Sequence, residues 1–222
     1  MHLNTGNTMT KACESVVGII LAGGLARRMG GGDKCLLTLG GKTLLERTMN
    51  HAKPQVTSLI LNANGDAARF AHTQLPVVAD NFPNYRGPLA GIHAGLQWMS
   101  KNTSHTWMAS FASDTPFFPF DIVEQLFAQT LDRVRKKDEM PINLVVAKSH
   151  QEAQSVFALW HLSLLEKIDA QLKSEKIPRL QDWIKEQHTA YVEFSSDDYD
   201  PFFNINTPED LVAAESILSK EQ

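Results

Sequence analysis

Between Leu21 and Lys34 the chain reads LAGGLARRMGGGDK, and Gly23, Gly24, Gly30, Gly31 and Gly32 fall within ten residues of one another. Glycines at this density let the backbone approach a ligand closely and turn several N–H groups into one concavity, which suits phosphate oxygens. Arg27, Arg28 and Lys34 supply the cationic charge that a triphosphate or a departing pyrophosphate requires. A flexible turn with solvated basic side chains is the competing reading. The position of the segment directly after the apolar run Val16 to Leu21 favours phosphate binding. Two familiar phosphate loops do not fit. A dinucleotide fingerprint needs G-x-G-x-x-G, whereas Gly23 and Gly24 are adjacent and the next glycine is Gly30. Gly41-Lys42-Thr43 imitates the end of a P-loop, but Leu36 stands where that loop needs its first glycine, so Lys42 and Thr43 read as a turn and a helix cap.

Three further groups stand where strands are expected to end: Asn62, Asp80 and Ser113-Asp114. In an open parallel sheet, ligands bind beyond the carboxyl ends of the strands. Asp114, followed by Thr115-Pro116, should project into the same crevice as the glycine loop. Its natural partner is Mg²⁺, which takes one or two carboxylates together with water and substrate phosphate. A turn-forming role before Pro116 explains Asp114 equally well in isolation, and Asp80-Asn81 has the same dual reading. Convergence of the strand ends is what tips both towards nucleotide binding.

The elements that must position these residues alternate short apolar runs with amphipathic stretches, the pattern of βα units around a largely parallel sheet. Strands are expected at Val16 to Leu21, Thr57 to Leu61, Val77 to Ala79, Thr106 to Ala112, Ile142 to Ala147, Val156 to Trp160 and Tyr191 to Phe194. Thr43 and Glu46 can form a capping box for a helix that Pro54 stops. Pro88 suits the first turn of a helix to about Met99, and Asp121 to Glu124 start another. Helices are also expected at His161 to Leu172 and Arg179 to Gln187. A last one opens at Thr207-Pro208-Glu209-Asp210. Residues 1 to 15 are polar and aperiodic and read as a disordered tail, leaving 16 to 222 as a single domain.

With 43% hydrophobic and 21% charged residues, the 222-residue chain has the balance of a globular protein with a substantial core. A net charge of -4 offers nothing to a nucleic-acid backbone. Cys13 and Cys35 are no disulfide framework and point to a reducing, cytoplasmic setting. Val16 to Ala22 is at the short limit for a signal-peptide core and leads into Gly-Gly, and no run has the length a membrane helix needs. Eight histidines lack metal-ligand spacing, so no zinc site is implied, and His161 reads as structural or surface. The acidic stretch Glu193 to Asp200 reads as a solvated loop, while Phe117, Phe118 and Phe120 read as packing a loop onto the core.

LAGGLARRMGGGDK resembles the opening motif of the molybdenum cofactor guanylyltransferases, within the nucleotidyltransferases whose motif is approximately LAGGxxxRMGxxK. Gly87-Pro88-Leu89-Ala90-Gly91-Ile92, Ser113-Asp114-Thr115-Pro116-Phe117 and Asn204-Ile205-Asn206-Thr207-Pro208-Glu209 resemble that family's later motifs in the same order, so the likeness spans about residues 16 to 215. It implies a three-layer α/β/α, Rossmann-like nucleotidyltransferase fold with a mostly parallel central sheet. It implies GMP transfer from GTP to molybdenum-bearing molybdopterin, with Mg²⁺ as cofactor and with proteins that deliver molybdopterin and receive the product as partners. Carried over by position, it sets Leu21, Ala22 and Gly23 against the guanine nucleotide, Lys34 on its phosphates, and Asn62 and Asp80 at GTP-contacting positions. Asp114 matches the Mg²⁺ ligand, and Asn204 and Asn206 fall on the molybdopterin or metal side. One departure is Gln154-Ser155, where many relatives have His-Pro before the strand. Rival readings are a cytidylyltransferase or sugar-phosphate nucleotidyltransferase of the same fold, and a nucleotide-binding adaptor without catalysis.

Overall fold

The computed structural model of the chain describes residues 14–23, 32–83, 86–134 and 142–219. Most of the expected N-terminal tail and the centre of the glycine loop, with Arg27 and Arg28, lie outside the described residues. The elements run in the order β1 (Val16–Leu21), a short hairpin β2 (Thr38–Leu39) and β3 (Lys42–Thr43), α1 (Leu44–Ala52), β4 (Ser58–Asn62), β5 (Val77–Val78), α2 (Pro88–Asn102), β6 (Trp107–Ala112), α3 (Ile122–Val134), β7 (Leu144–Ser149), β8 (Glu152–His161), α4 (Leu165–Lys173), α5 (Leu180–Lys185), β9 (Thr189–Glu193) and α6 (Pro208–Leu218).

Seven strands form one sheet in the order β5-β4-β1-β6-β8-β7-β9. β1 pairs in parallel with β4 and β6, and β4 with β5. The chain moves outward from β1 to β4 and β5, then returns through α2 to β6 on the other side of β1. That reversal is a topological switch point, where a crevice opens beyond the carboxyl ends of the strands.

Alternation along β1 explains the three layers. Val16 and Ile20 pack in the core on one face, with Phe118 and Leu126, while Val17 and Ile19 pack on the other, with Leu96 and Trp183. Both faces are therefore covered, as the uninterrupted apolar run required. Buried Trp160 has its polar end satisfied: its Nε1 donates to Ser110 Oγ at 2.8 Å, and that hydroxyl donates to the Val156 carbonyl. A third cluster joins Leu39, Leu44, Phe117, Ile205 and Ala214 under α6.

Two of the expected caps are present. Thr43 with Glu46 and Thr207 with Asp210 form reciprocal capping boxes at the starts of α1 and α6. β8 differs from the expected strand. It runs antiparallel to both β6 and β7 and starts at Glu152, well before the expected Val156. A two-residue turn reverses the chain, with φ of 51° at His150 and 66° at Gln151. Such turns usually announce themselves with Asn-Gly or Gly, and neither residue here gives that signal. The turn is held from outside: Glu193 accepts from the Gln151 N–H at 3.0 Å, and Asp200 accepts from the Ser149 hydroxyl at 2.7 Å. Two members of the acidic stretch thus brace a hairpin, where the sequence suggested only solvation. Phe117 and Phe118 are buried as expected, but Phe120 is 67% exposed and stacks on His51. His161 ends β8, and its Nδ1 accepts from the Ser163 N–H, a structural role.

His93, on α2, is buried, with Nε2 3.3 Å from an Asp169 carboxylate oxygen on α4; Asp169 also pairs with Lys173, and Phe82 packs edge-on against the ring. Burial pushes the imidazole below its ordinary value of 6.5 and outweighs the opposing pull of Asp169. The unfolded chain therefore takes up this proton more readily than the folded one. His93 should contribute full stability above about pH 6.5 and lose it as the pH falls below that value. The melting temperature is expected to drop between pH 7 and 5, with a shallower slope in His93→Gln; equal slopes would remove His93 from the account.

Candidate functional site

The carboxyl end of β1 lies between those of its neighbours. The Ala22 N–H donates to the Asn62 carbonyl of β4 at 2.9 Å, and the Ser113 N–H after β6 donates to the Leu21 carbonyl at 3.3 Å. Leu21, Ala22 and Gly23 therefore form the floor between two polar groups, one at each neighbouring strand end.

The first group centres on Lys34, in a 3-10 turn over Lys34–Leu36. Its side chain is buried, and its ammonium donates to Asp114 Oδ2 at 2.6 Å, Asn206 Oδ1 at 2.6 Å and Asn204 Oδ1 at 3.1 Å. Local chemistry explains the convergence. The Ile205 N–H donates to the Asp114 carbonyl at 3.0 Å, fastening the 204–206 segment beside the end of β6. The α6 cap holds the same segment from its other side, because Asp210 accepts from the Asn206 and Thr207 N–H groups, each at 2.8 Å. The Asn206 N–H, then that of Thr207, holds the Asp210 carboxyl below its ordinary value.

Lys34, Asp114, Asn204 and Asn206 are thus brought to one point from three distant parts of the sequence. A carboxylate and two amide carbonyls offer only hard oxygen donors, the set a cation such as Mg²⁺ accepts. Among the described residues no cluster of three or more His, Cys, Asp or Glu could hold a metal, so a cation here would take much of its shell from ligand phosphate and water. Cys35 is adjacent but buried, and burial followed by the Asp33 charge pushes its thiol up to about 12, which keeps it protonated.

The second group lies at the ends of β4 and β5. Asn62 Nδ2 donates to Asp80 Oδ1 at 2.9 Å and to the Val78 carbonyl at 3.2 Å. Helix α2 passes directly over this amide: a Cβ on Gly91 would come within 2.3 Å of Asn62 Oδ1 and 3.0 Å of Leu21. Only glycine lets the helix come so close. Asn64, which no sequence motif marks, completes the group. Its Nδ2 donates to Asp80 Oδ2 at 2.8 Å, and its Oδ1 accepts from the Asp80 N–H at 2.9 Å.

A cavity of about 470 Å³ is lined by Arg86, Gly87 and Pro88 at the start of α2, Ser155 and Val156 of β8, and Arg179 before α5. It lies towards the same end of the sheet, since the antiparallel pairing of β8 with β6 runs from Trp107↔His161 to Ser110↔Ala158 and so carries Val156 towards the carboxyl end of β6. Arg86 is anchored there by the Leu172 and Ser174 carbonyls at 2.8 and 3.3 Å. Neither arginine was marked by a motif in the sequence.

Residues 18–190 match the model of the MobA-like NTP transferase domain. A molybdenum cofactor guanylyltransferase of Nitrobacter hamburgensis is 43% identical over 212 residues, 95% of this chain and 98% of the relative. One from Vibrio cholerae serotype O1 is 38% identical over 195 residues, 87% and 88% of the two chains. Among solved structures, molybdopterin-guanine dinucleotide biosynthesis protein A of Archaeoglobus fulgidus superposes with a TM-score of 0.71 at 24% identity, covering 92% of this chain and 99% of that one. A 4-diphosphocytidyl-2C-methyl-D-erythritolsynthase of Anaerococcus prevotii gives a TM-score of 0.66 at 15% identity, covering 96% and 100%. The fold alone is thus shared across different nucleotide chemistries.

Proposed function

Because this chain belongs to the family of MobA-like NTP transferase domains, we propose that it transfers GMP from GTP to the terminal phosphate of molybdenum-bearing molybdopterin and releases pyrophosphate. The observation that carries this reading is the meeting of Lys34 with Asp114, Asn204 and Asn206 beside the carboxyl end of β1. In it, Leu21, Ala22, Gly23, Asn62 and Asp80 hold the nucleoside, Lys34 engages the phosphates, and Asp114 carries Mg²⁺ with oxygen support from Asn204 or Asn206. A phosphate oxygen of the acceptor forms a bond to the α-phosphorus while the α-to-β bridging oxygen departs with its electron pair. The attacking phosphate is already anionic, so no side chain needs to remove a proton. Lys34 offsets negative charge as it moves onto the leaving pyrophosphate. When bound, Mg²⁺ withdraws charge from the phosphate oxygens.

The acceptor's place in this reading is the cavity between α2, β8 and α5. Arg86, Arg179 and the positive end of the 15-residue α2 give it the polarity an anionic pterin phosphate needs. The setting is the cytoplasm, with further proteins delivering molybdopterin and receiving the dinucleotide. No helix among the described residues is long and apolar enough to cross a membrane.

Pyrophosphate release should be followed with each of the four nucleoside triphosphates, with and without molybdopterin, in Mg²⁺ buffer. The reading requires release from GTP that depends on molybdopterin. Preference for CTP or UTP would favour the same-fold rival, and no release under any condition would favour a binding protein without catalysis.

A further inference from the structure

Asp33 precedes Lys34 and occupies the N-cap of its 3-10 turn, yet its carboxylate makes no capping bond. It is taken instead by Arg69, whose Nε donates to Asp33 Oδ2 at 2.6 Å and whose Nη2 lies 3.4 Å from Oδ1. The same guanidinium donates to the Asn64 carbonyl and the Asp66 carbonyl, both at 2.6 Å. The two side chains are only 28% and 18% exposed. Gly65, at φ +85°, makes the turn that brings the chain back under Arg69, and a Cβ there would sit 3.3 Å from the guanidinium.

The consequence is a continuous strut. On one side Asp33 is the chain neighbour of Lys34; on the other, Asn64 donates to Asp80 Oδ2 and accepts from the Asp80 N–H, while Asp80 Oδ1 accepts from Asn62. Resting on the nucleotide reading above, we infer that Arg69 is a positioning residue that sets the distance between the phosphate end and the nucleoside end of the site before GTP arrives. A planar guanidinium suits this task because its donors point in fixed directions, so one side chain can hold a carboxylate and two carbonyls at once. Fixing the spacing in advance spares GTP the cost of ordering the two ends on binding. The strut confers no affinity for either end alone.

That last property supplies the test. GTP, guanosine and pyrophosphate are each titrated against the full chain in Mg²⁺ buffer, as wild type, as Arg69→Ala, and as the charge-balanced double variant Arg69→Ala, Asp33→Ala. In both variants the GTP dissociation constant should rise about tenfold, the scale of one lost ordering interaction. Guanosine and pyrophosphate should each change by less than about twofold in the double variant, which leaves the net charge unaltered. Equal losses for all three ligands would show a local distortion and overturn the inference. Recovery of wild-type GTP affinity in the double variant would also overturn it, since Arg69 would then act through its charge alone. Failure of the wild-type chain to bind GTP would instead remove the nucleotide reading. If Arg69→Ala proves unfolded by circular dichroism, Asp33→Ala removes the carboxylate that Arg69 clamps and must raise the GTP constant for the inference to stand.

Discussion

Replacing Asp114 by Asn should lower the turnover number by about three orders of magnitude, the upper range for removing one preorganised electrostatic contact at a reacting phosphate. The exchange keeps the size of the side chain and leaves the Asp114 carbonyl free to accept from Ile205 as before. Lys34 can still donate to an amide oxygen, and the other acceptors of its ammonium, Asn204 and Asn206, are untouched. What disappears is the negative charge that would bind the cation. Steady-state pyrophosphate release at saturating GTP and molybdopterin checks this, with Mg²⁺ varied. The remaining activity should need more Mg²⁺ to saturate. Turnover within about tenfold of wild type would remove Asp114 as the metal ligand.

Lys34→Met should reduce kcat/KM for GTP by about two to three orders of magnitude, with both KM and kcat affected. The ammonium would serve the bound triphosphate and also the charge that develops on pyrophosphate, so its loss is felt before and during the transfer. Lys34→Arg is the sharper variant. The lysine nitrogen sits among three oxygens at 2.6 to 3.1 Å in a buried position. A planar guanidinium cannot place one compact charge at that point, so arginine should restore less than about a tenth of the lost activity. The comparison is made from full kinetic curves for the three proteins. Near-complete rescue by arginine would mean that Lys34 provides only a general positive field.

How far the sequence led to this site depended on whether the relevant chemistry was local. The buried run of β1, the capping box at Thr43 and the Thr207-Pro208 start of α6 each follow from residues within a few positions of one another, and each stands where expected. Asn62, Asp80 and Asp114 were legible because they stand at or just after the ends of apolar strands. The partnership of Lys34 with Asn206 was not, because 172 residues separate them and only the sheet order and the α6 cap bring them together. Arg69 carries no motif, and its purpose appears only when Gly65 turns the chain back towards Asp33. The β7–β8 hairpin escaped for a different reason, since His150 and Gln151 adopt positive φ without the residue types that usually mark it. The choice of GTP comes from the likeness to the guanylyltransferases.

Following the atoms of GTP distinguishes transfer from hydrolysis. GTP labelled in the α-phosphate and, separately, in the γ-phosphate is incubated with the chain, Mg²⁺ and molybdopterin, and the products are separated. The α label should appear in a molybdopterin-guanine dinucleotide and the γ label in pyrophosphate, in equal amounts. Recovery of the α label as free GMP or GDP, with none joined to the pterin, would contradict it.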